Sequence, residues 1–206
     1  MLGAIFRHSG QRSRPAGRRG GIPLPAGRQA LPAPKKGHHI SNAFCYNNLM
    51  NKLVIKNGAK GTGVFTIKSF STGDKIFNFS GDLIPRSPIT ENLSSPADDR
   101  YLQVGVDLFI GPSGNIDDHV NHSCEPNTGV LLKNNRAQLI AIRNIIAGEE
   151  ITYDYSIQMY NEPWTMECMC GSENCRGVIK EYRHLPQQIK DKYLKLGLVP
   201  HYNKDL

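Results

Sequence analysis

The sequence lacks any apolar run long enough to cross a membrane. A transmembrane helix needs roughly 18 or more consecutive apolar residues, and no stretch of the 206 residues approaches that length. No signal peptide with an apolar centre precedes the cysteines. We therefore expect no membrane partner.

Cysteine is scarce and unevenly placed. There are five cysteines, an odd number, and three of them fall in "ECMCGSENCRG", residues 167–177. The disulfide framework of a secreted protein usually pairs an even number of cysteines spread along the chain. The pattern therefore favours a reduced, intracellular protein, which we expect in the cytoplasm, with the nucleus as the alternative.

Acidic residues are absent from the first 39 positions, which hold eight Lys or Arg. The other 17 basic and 18 acidic residues nearly cancel, so the net charge of +7 belongs to this arm. Gly and Pro interrupt its Arg residues, which predicts disorder over a basic extension, residues 1–49. Three interpretations of this extension compete: a tail that binds nucleic acid or acidic partners, a mitochondrial presequence, and a non-native extension ahead of Met50.

Beyond residue 50 the sequence predicts a mainly β fold. Short apolar segments alternate with turn residues, among them "KLVIK", "GVFTIKSF", "YLQVGVDLFIG", "TGVLLK" and "EEITYDY". The C-terminal region instead shows helical spacing at Leu185, Ile189, Tyr193 and Leu196. Pro186 suits the first turn of this helix and Gly197 suits its end.

Three clustered cysteines are one ligand short of a structural zinc site, which has four. "NHSCEPN", residues 121–127, is a polar loop between two strand-like segments and contains Cys124. Cys124, Cys168, Cys170 and Cys175 together would complete a tetrahedral site with no position for water. The alternatives are that the thiols are free and the loop is a solvated turn. Cys45 is left over as an ordinary thiol.

Two further motifs are weak on their own. "KGTGVF", residues 60–65, has two glycines, which suit a hairpin turn or a close approach to a ligand. "AGEEITYDY", residues 147–155, ends in a strand on which Tyr153 and Tyr155 share one face. Taken alone, these tyrosines would be interpreted as packing residues.

In this order, "KGTGVF", "NHSCEPN", "GEEITYDY" and "CMCGSENCRG" resemble the SET-domain protein-lysine methyltransferases with a post-SET zinc segment. The resemblance covers about residues 51–180 and is strongest to the small single-domain members. It implies a β-rich α+β fold of small sheets with a knot-like C-terminal crossing beside the NHSC loop. The expected divisions are a SET domain over 50–160, a post-SET zinc segment over 161–180, and a C-terminal helix and tail over 181–206.

The resemblance also implies a function. S-adenosylmethionine would donate a methyl group to the amine of a lysine in a protein substrate. Tyr155 matches the family's catalytic tyrosine, and Tyr153 matches the position that influences how many methyl groups are added, a tyrosine there favouring mono- or dimethylation. The positions matching the cofactor site are Gly61, Thr62, Gly63, Asn121 and His122.

Two residues depart from the family pattern. Phe79 stands where many members have a tyrosine lining the lysine channel, and Asp118 stands where many have an arginine. Trp164, the single tryptophan, is expected either to close over the site or to pack structurally. The rival hypothesis is a non-catalytic SET-fold binding module whose basic arm, residues 1–49, recruits nucleic acid or an acidic partner.

Overall fold

The structure, a computed structural model, describes residues 52–58, 61–86, 100–134, 136–160 and 164–204. All of them belong to the compact unit His39–Leu206. The basic extension, residues 1–49, and Cys45 within it lie outside the described residues, so the predictions made for them stay predictions. Within the described ranges no helix combines the length and the apolar character needed to cross a membrane.

The described residues contain twelve short strands, one α-helix and four 3₁₀ turns. The strands are β1 (Leu53–Gly58), β2 (Gly61–Thr66), β3 (Lys75–Asn78), β4 (Leu83–Pro85), β5 (Leu102–Gly105), β6 (Leu108–Ile110), β7 (Asn121–His122), β8 (Thr128–Lys133), β9 (Arg136–Ala141), β10 (Thr152–Tyr153), β11 (Met166–Glu167) and β12 (Val178–Ile179). The helix is α1 (Gln187–Lys195), and the 3₁₀ turns are Ile116–His119, Tyr155–Gln158, Tyr182–His184 and His201–Asn203. The prediction of a β-rich fold is confirmed.

The strands form small sheets around one apolar core. β1 and β2 form a hairpin, and two three-stranded sheets have the orders β3-β9-β8 and β4-β6-β5. The apolar segment "YLQVGVDLFIG" folds as two strands, because Gly105 pairs with Leu108 across a two-residue turn. The core contains completely buried aliphatic side chains from several of these elements: Val64, Ile76, Ala137, Leu139, Ile145 and Ile151.

A parallel strand pair brings the two polar motifs together. Thr152 in β10 lies beside Asn121 in β7, and Tyr153 lies beside His122. The buried Asn127 secures this pairing, because its Oδ1 accepts a hydrogen bond from the Thr152 N–H at 2.9 Å and its Nδ2 donates to the Glu150 carbonyl at 2.8 Å. The C-terminal segment therefore crosses beside the NHSC loop, as the resemblance implied.

A second apolar cluster holds the C-terminal segment. Its buried members are Ile157, Tyr182, Leu185, Tyr193, Leu198 and Val199. The predicted helix is present, with Pro186 at its N-cap rather than inside its first turn. The predicted helical spacing grouped Leu196 with Leu185 and Tyr193, which are buried, but Leu196 is 42% exposed. Gly197 turns the chain with a φ of 68°, and Leu198 enters the core instead.

Candidate active site and metal centre

The four predicted zinc ligands converge. The sulfurs of Cys124, Cys168, Cys170 and Cys175 all lie within 4.8 Å of one another. The Cys124 and Cys168 sulfurs are 3.7 Å apart. This matches the edge of a tetrahedron with zinc–sulfur bonds of about 2.3 Å, which is about 3.8 Å. The cluster therefore has the geometry of a closed structural zinc site.

The chemistry of the four thiols also fits a divalent cation. Burial raises the pKa of the Cys124 and Cys168 thiols. Burial acts in the same direction on Cys170, but a hydrogen bond with the Ser172 hydroxyl brings its pKa to about 6. Since zinc binds thiolates, a bound ion would stabilise the deprotonated form of these partly buried sulfurs. Cys124 comes from the NHSC loop, so the metal would fasten the C-terminal segment to it.

An aromatic cavity lies beside strand β10 and the 3₁₀ turn that follows it. Its lining includes Phe79, Tyr153 and Tyr155, with Leu102 and Ile110 as aliphatic neighbours, and its volume is about 190 Å³. The Tyr153 and Tyr155 ring centroids are 4.8 Å apart, so the two rings lie together as expected. The prediction that one strand carries both is wrong, because β10 ends at Tyr153 and Tyr155 begins a 3₁₀ turn. We call this space the aromatic cavity.

A second cavity, also of about 190 Å³, lies between the NHSC loop and the cysteine segment. Met166, Glu167 and the residues from Cys168 to Cys170 form one wall, so we call this space the zinc-side cavity. Asn121 and Tyr155 line both cavities. The two cavities therefore adjoin at Tyr155 and Asn121.

Asn121 is held in place by the glycine-rich hairpin and by an acidic side chain. Its Nδ2 donates to the Glu150 Oε1 at 2.7 Å and to the Thr62 carbonyl at 3.1 Å. A Cβ at position 63 would lie 2.7 Å from that nitrogen, so Gly63 makes room for Asn121. Thr62 lines the aromatic cavity, and Gly61 adopts a φ of 92° at the hairpin turn.

The ring of His122 is engaged by protein groups. Its Nδ1 accepts a hydrogen bond from the Tyr155 N–H at 3.2 Å, and its Nε2 lies 3.4 Å from the Cys124 sulfur. The residue is 5% exposed. His122 thus links the tyrosine and the cysteine cluster through its side chain, while it also lines the zinc-side cavity.

Sequence reasoning missed a buried ion pair at the centre of this region. Asp154, between the two tyrosines, is completely buried and receives two hydrogen bonds of 2.6 Å from the Arg176 guanidinium. Tyr193 of α1 donates to the same carboxylate at 3.3 Å. Although burial lowers it, the contact with Asp154 raises the pKa of Arg176 above its ordinary value. The only sequence signal was a basic residue directly after Cys175.

The two departures from the family pattern have definite positions. The Phe79 ring meets Tyr153 edge-on, with centroids 6.1 Å apart. Asp118 accepts hydrogen bonds from the Ser113 and Gly114 N–H groups, at 2.9 and 2.7 Å, and lines the aromatic cavity. Asp118 therefore has a structural role in the loop that precedes Asn121. The Trp164 ring lies 6.5 Å from that of Tyr155.

The second strand of the hairpin, the NHSC loop, the aromatic cavity and the tyrosine pair all fall in one stretch that matches a known family. Residues 61–156 match the family model described as the SET domain. The chain contains a SET domain over these residues. Three cysteines of the cluster, Cys168, Cys170 and Cys175, lie beyond the matched residues, as do Arg176 and the C-terminal helix.

Several curated relatives are much longer proteins. The chain is 28% identical over 168 residues to "Histone-lysine N-methyltransferase trithorax" of Drosophila virilis. This alignment covers 74% of this chain and 4% of that protein. It is 32% identical over 142 residues to "Histone-lysine N-methyltransferase mes-4" of Caenorhabditis elegans, covering 58% and 16% respectively. The chain therefore spans a small part of these relatives.

Solved structures share the SET fold. The methyltransferase domain of human histone-lysine N-methyltransferase SETMAR superimposes with a TM-score of 0.52 at 24% identity, over 61% of this chain and 56% of that one. KRYPTONITE, solved in complex with mCHH DNA, H3(1-15) peptide and SAH, gives a TM-score of 0.50 at 23% identity, over 62% and 29%. These likenesses establish the fold.

The metal centre leads to a stoichiometric prediction. Purified chain should contain one equivalent of zinc, and Cys175→Ser should lose it, because three sulfurs leave the tetrahedral site incomplete. Metal content is measured by elemental analysis, and thermal unfolding is followed alongside. Cys45→Ser, which removes the cysteine outside the cluster, is the matched control and should keep the metal. Retention of zinc by Cys175→Ser would contradict the four-cysteine site.

Proposed function

We propose that this chain is a protein-lysine N-methyltransferase that uses S-adenosylmethionine. The observation that carries the proposal is the position of Tyr155 and Asn121 at the junction of the two cavities. The named relatives are histone-lysine N-methyltransferases, and one structural neighbour was solved with SAH and a histone peptide. A methyl donor on one side and a lysine on the other would meet beside Tyr155.

The residues proposed to hold the donor surround the hairpin and the NHSC loop. Asn121, fixed by Glu150 and the Thr62 carbonyl, offers its side chain to both cavities. His122 offers its backbone, since its ring is engaged by Tyr155 and Cys124. When bound, S-adenosylmethionine supplies a methyl group that is already activated on a sulfonium. The protein therefore has to align the reactants more than to activate them.

The aromatic cavity is proposed to hold the acceptor lysine. Phe79, Tyr153 and Tyr155 offer ring faces and edges, while charged side chains, among them Asp117 and Asp118, line other parts of the cavity. Rings that pack against the amine would displace water from it, and this loss of hydration favours the neutral form, which is the form that can attack. The Tyr155 hydroxyl donates to the Val120 carbonyl at 2.8 Å, so it is held as a protonated phenol. Its role is to orient the amine rather than to remove its proton.

Tyr153 is proposed to limit the number of methyl groups. It is 8% exposed, and its ring packs between Phe79 and Tyr155. A hydroxyl at this place takes up room and can hold a water molecule where a trimethylated amine would need space. Mono- or dimethylation is therefore the proposed outcome.

The proposed location is the nucleus. Relatives named for histone substrates give no support to the expected cytoplasmic location, and they favour a chromatin protein as the lysine-containing partner. The basic extension could add nucleic-acid binding. It lies outside the described residues, so the binding-module hypothesis gains no observation from the structure.

Cofactor binding tests the proposed function directly. Titration calorimetry with the zinc-loaded full chain should show binding of S-adenosylmethionine, and Asn121→Ala should weaken it about tenfold or more through the loss of a half-buried, positioned amide. The exposed Asn144, which contacts Thr72 instead, provides the matched control Asn144→Ala. Labelled methyl transfer to histone peptides follows. No binding by the folded chain would overturn the proposal and favour the binding module.

A further inference from the structure

Two adjacent side chains near the C-terminus capture the backbone that follows Tyr155. The Asn203 amide donates to the Ile157 carbonyl at 2.8 Å and to the Met159 carbonyl at 3.4 Å. The Tyr202 hydroxyl lies 3.1 Å from the carbonyl between them, that of Gln158. Three consecutive carbonyls are thus held by one short segment, residues 198–204, which we call the C-terminal tail.

Tyr202 also reaches the wall of the aromatic cavity. Its hydroxyl lies 2.8 Å from the carbonyl of Gln103, in β5 next to the cavity-lining Leu102. Burial raises the pKa of Tyr202, so the hydroxyl keeps its proton, which the two carbonyls share. The side chain of Gln103 accepts the Tyr160 N–H at 2.8 Å, a second link between the same two segments. Tyr202 therefore bridges β5 and the turn that begins at Tyr155.

The tail is itself anchored firmly to the domain. Leu198 and Val199 are 2% and 5% exposed. A Cβ at Gly129 in β8 would lie 2.4 Å from the Leu198 side chain, so Leu198 fits directly onto that glycine. Asn203 is completely buried. The tail can therefore hold the turn against a rigid surface, although it lies outside the stretch that matches the family.

Asn203 is a poor choice for stability alone. Its Oδ1 and both polar atoms of the Gln158 side chain are buried, and they find no hydrogen-bond partner among the described residues. Burying an amide that is only half satisfied costs stability, which an apolar residue would avoid. The Asn203 Nδ2, in contrast, is hydrogen-bonded, and its partners are the carbonyls of Ile157 and Met159 after Tyr155.

We propose that Tyr202 and Asn203 are positioning residues that fix Tyr155 relative to the β5 wall of the aromatic cavity. Tyr155 is the first residue of the 3₁₀ turn Tyr155–Gln158. The C-terminal tail binds the last two carbonyls of this turn and the carbonyl of Met159 after it. A rotation of this turn would carry the Tyr155 hydroxyl away from its place 2.8 Å from the Val120 carbonyl. This role rests on the proposed function, in which Tyr155 orients the acceptor lysine.

The test compares Tyr202→Phe with Tyr182→Phe in the zinc-loaded full chain. Both remove a hydroxyl from a buried tyrosine of the C-terminal region, but only Tyr202 uses its hydroxyl on the carbonyl of Gln158. The methyl-transfer kcat should fall about tenfold in Tyr202→Phe, with the cofactor Kd within about twofold, because alignment and not binding is disturbed. Tyr182→Phe should keep its kcat within about twofold.

A readout independent of activity is available in the single tryptophan. Trp164 lies 6.5 Å from the Tyr155 ring, so its fluorescence emission reports on that ring's position. The emission should change in Tyr202→Phe and in Asn203→Ala, and it should stay unchanged in Tyr182→Phe. If the Trp164 emission changes in Tyr202→Phe but the wild-type chain transfers no methyl group, the positioning role is supported and only the proposed function is contradicted.

Two results would overturn the positioning role. One is an unchanged kcat and an unchanged Trp164 emission in Tyr202→Phe. The other is an equal loss of kcat in Tyr202→Phe and Tyr182→Phe, which would indicate a general loss of stability. Tyr202→Phe removes a single oxygen and is expected to fold, so the positioning role can be tested even if Asn203→Ala does not fold.

Discussion

Tyr155→Phe is expected to lower the methyl-transfer rate about 100-fold or more while the cofactor Kd stays within about twofold. The substitution keeps the ring and its packing against Tyr153, with centroids 4.8 Å apart. It removes the hydroxyl that the Val120 carbonyl holds at 2.8 Å. Loss of one preorganised polar group at a reacting centre typically costs about 10²–10³ in rate.

The neighbouring tyrosine makes this prediction specific. Tyr153→Phe deletes the same oxygen from an adjacent ring, and its expected effect is a shift of the product towards higher methylation rather than loss of transfer. Single-turnover transfer from labelled cofactor measures the rate, and mass spectrometry of a lysine peptide measures the methylation state. A Tyr155→Phe chain that kept the wild-type rate would remove Tyr155 from the proposed mechanism.

Arg176→Met is expected to lower the free energy of unfolding by about 3–5 kcal/mol. The substitution leaves the carboxylate of Asp154 completely buried without its charged partner, and breaking a buried pair on one side carries a penalty of about this size. The Tyr193 hydroxyl and the Ser156 N–H remain as hydrogen-bond donors to Asp154, but neither is charged. Urea denaturation of the zinc-loaded full chain measures the change.

An exposed ion pair in the same chain provides the matched control. Arg143 and Glu149 meet at 2.6 Å, the same distance as in the buried pair, but the Arg143 side chain is 50% exposed. Arg143→Met should therefore cost less than about 1 kcal/mol. The double variant Arg176→Met with Asp154→Asn should recover part of the lost stability, because no uncompensated charge remains. Equal effects of the two arginine substitutions would contradict the importance of burial.

The buried pair also affects how the site is assembled. Arg176 follows the last cysteine of the cluster, and its own N–H lies 3.4 Å from the Cys124 sulfur. The segment that lines the zinc-side cavity is thus attached twice, to the NHSC loop by the cysteine cluster and to Asp154 by a charge pair. Zinc removal should therefore loosen one attachment and leave the other.

Much of this protein follows from its sequence. The β-rich fold is encoded in short apolar segments separated by turn residues, and the closing helix in the spacing around Ile189 and Tyr193, because both patterns act locally. The four cysteines were also identifiable, because zinc requires a fixed number of ligands of a restricted chemical type. The order of the motifs was sufficient to recognise the SET family.

The tertiary structure alone decided how distant residues meet. No local pattern pairs Asp154 with Arg176, or aims Asn203 at the carbonyls after Tyr155, since such contacts depend on the path of the chain between them. The same applies to Leu198, which replaces Leu196 in the core because Gly197 turns the backbone. The sequence determined the elements and the chemistry of the ligands, whereas packing between elements decided which buried polar groups became partners.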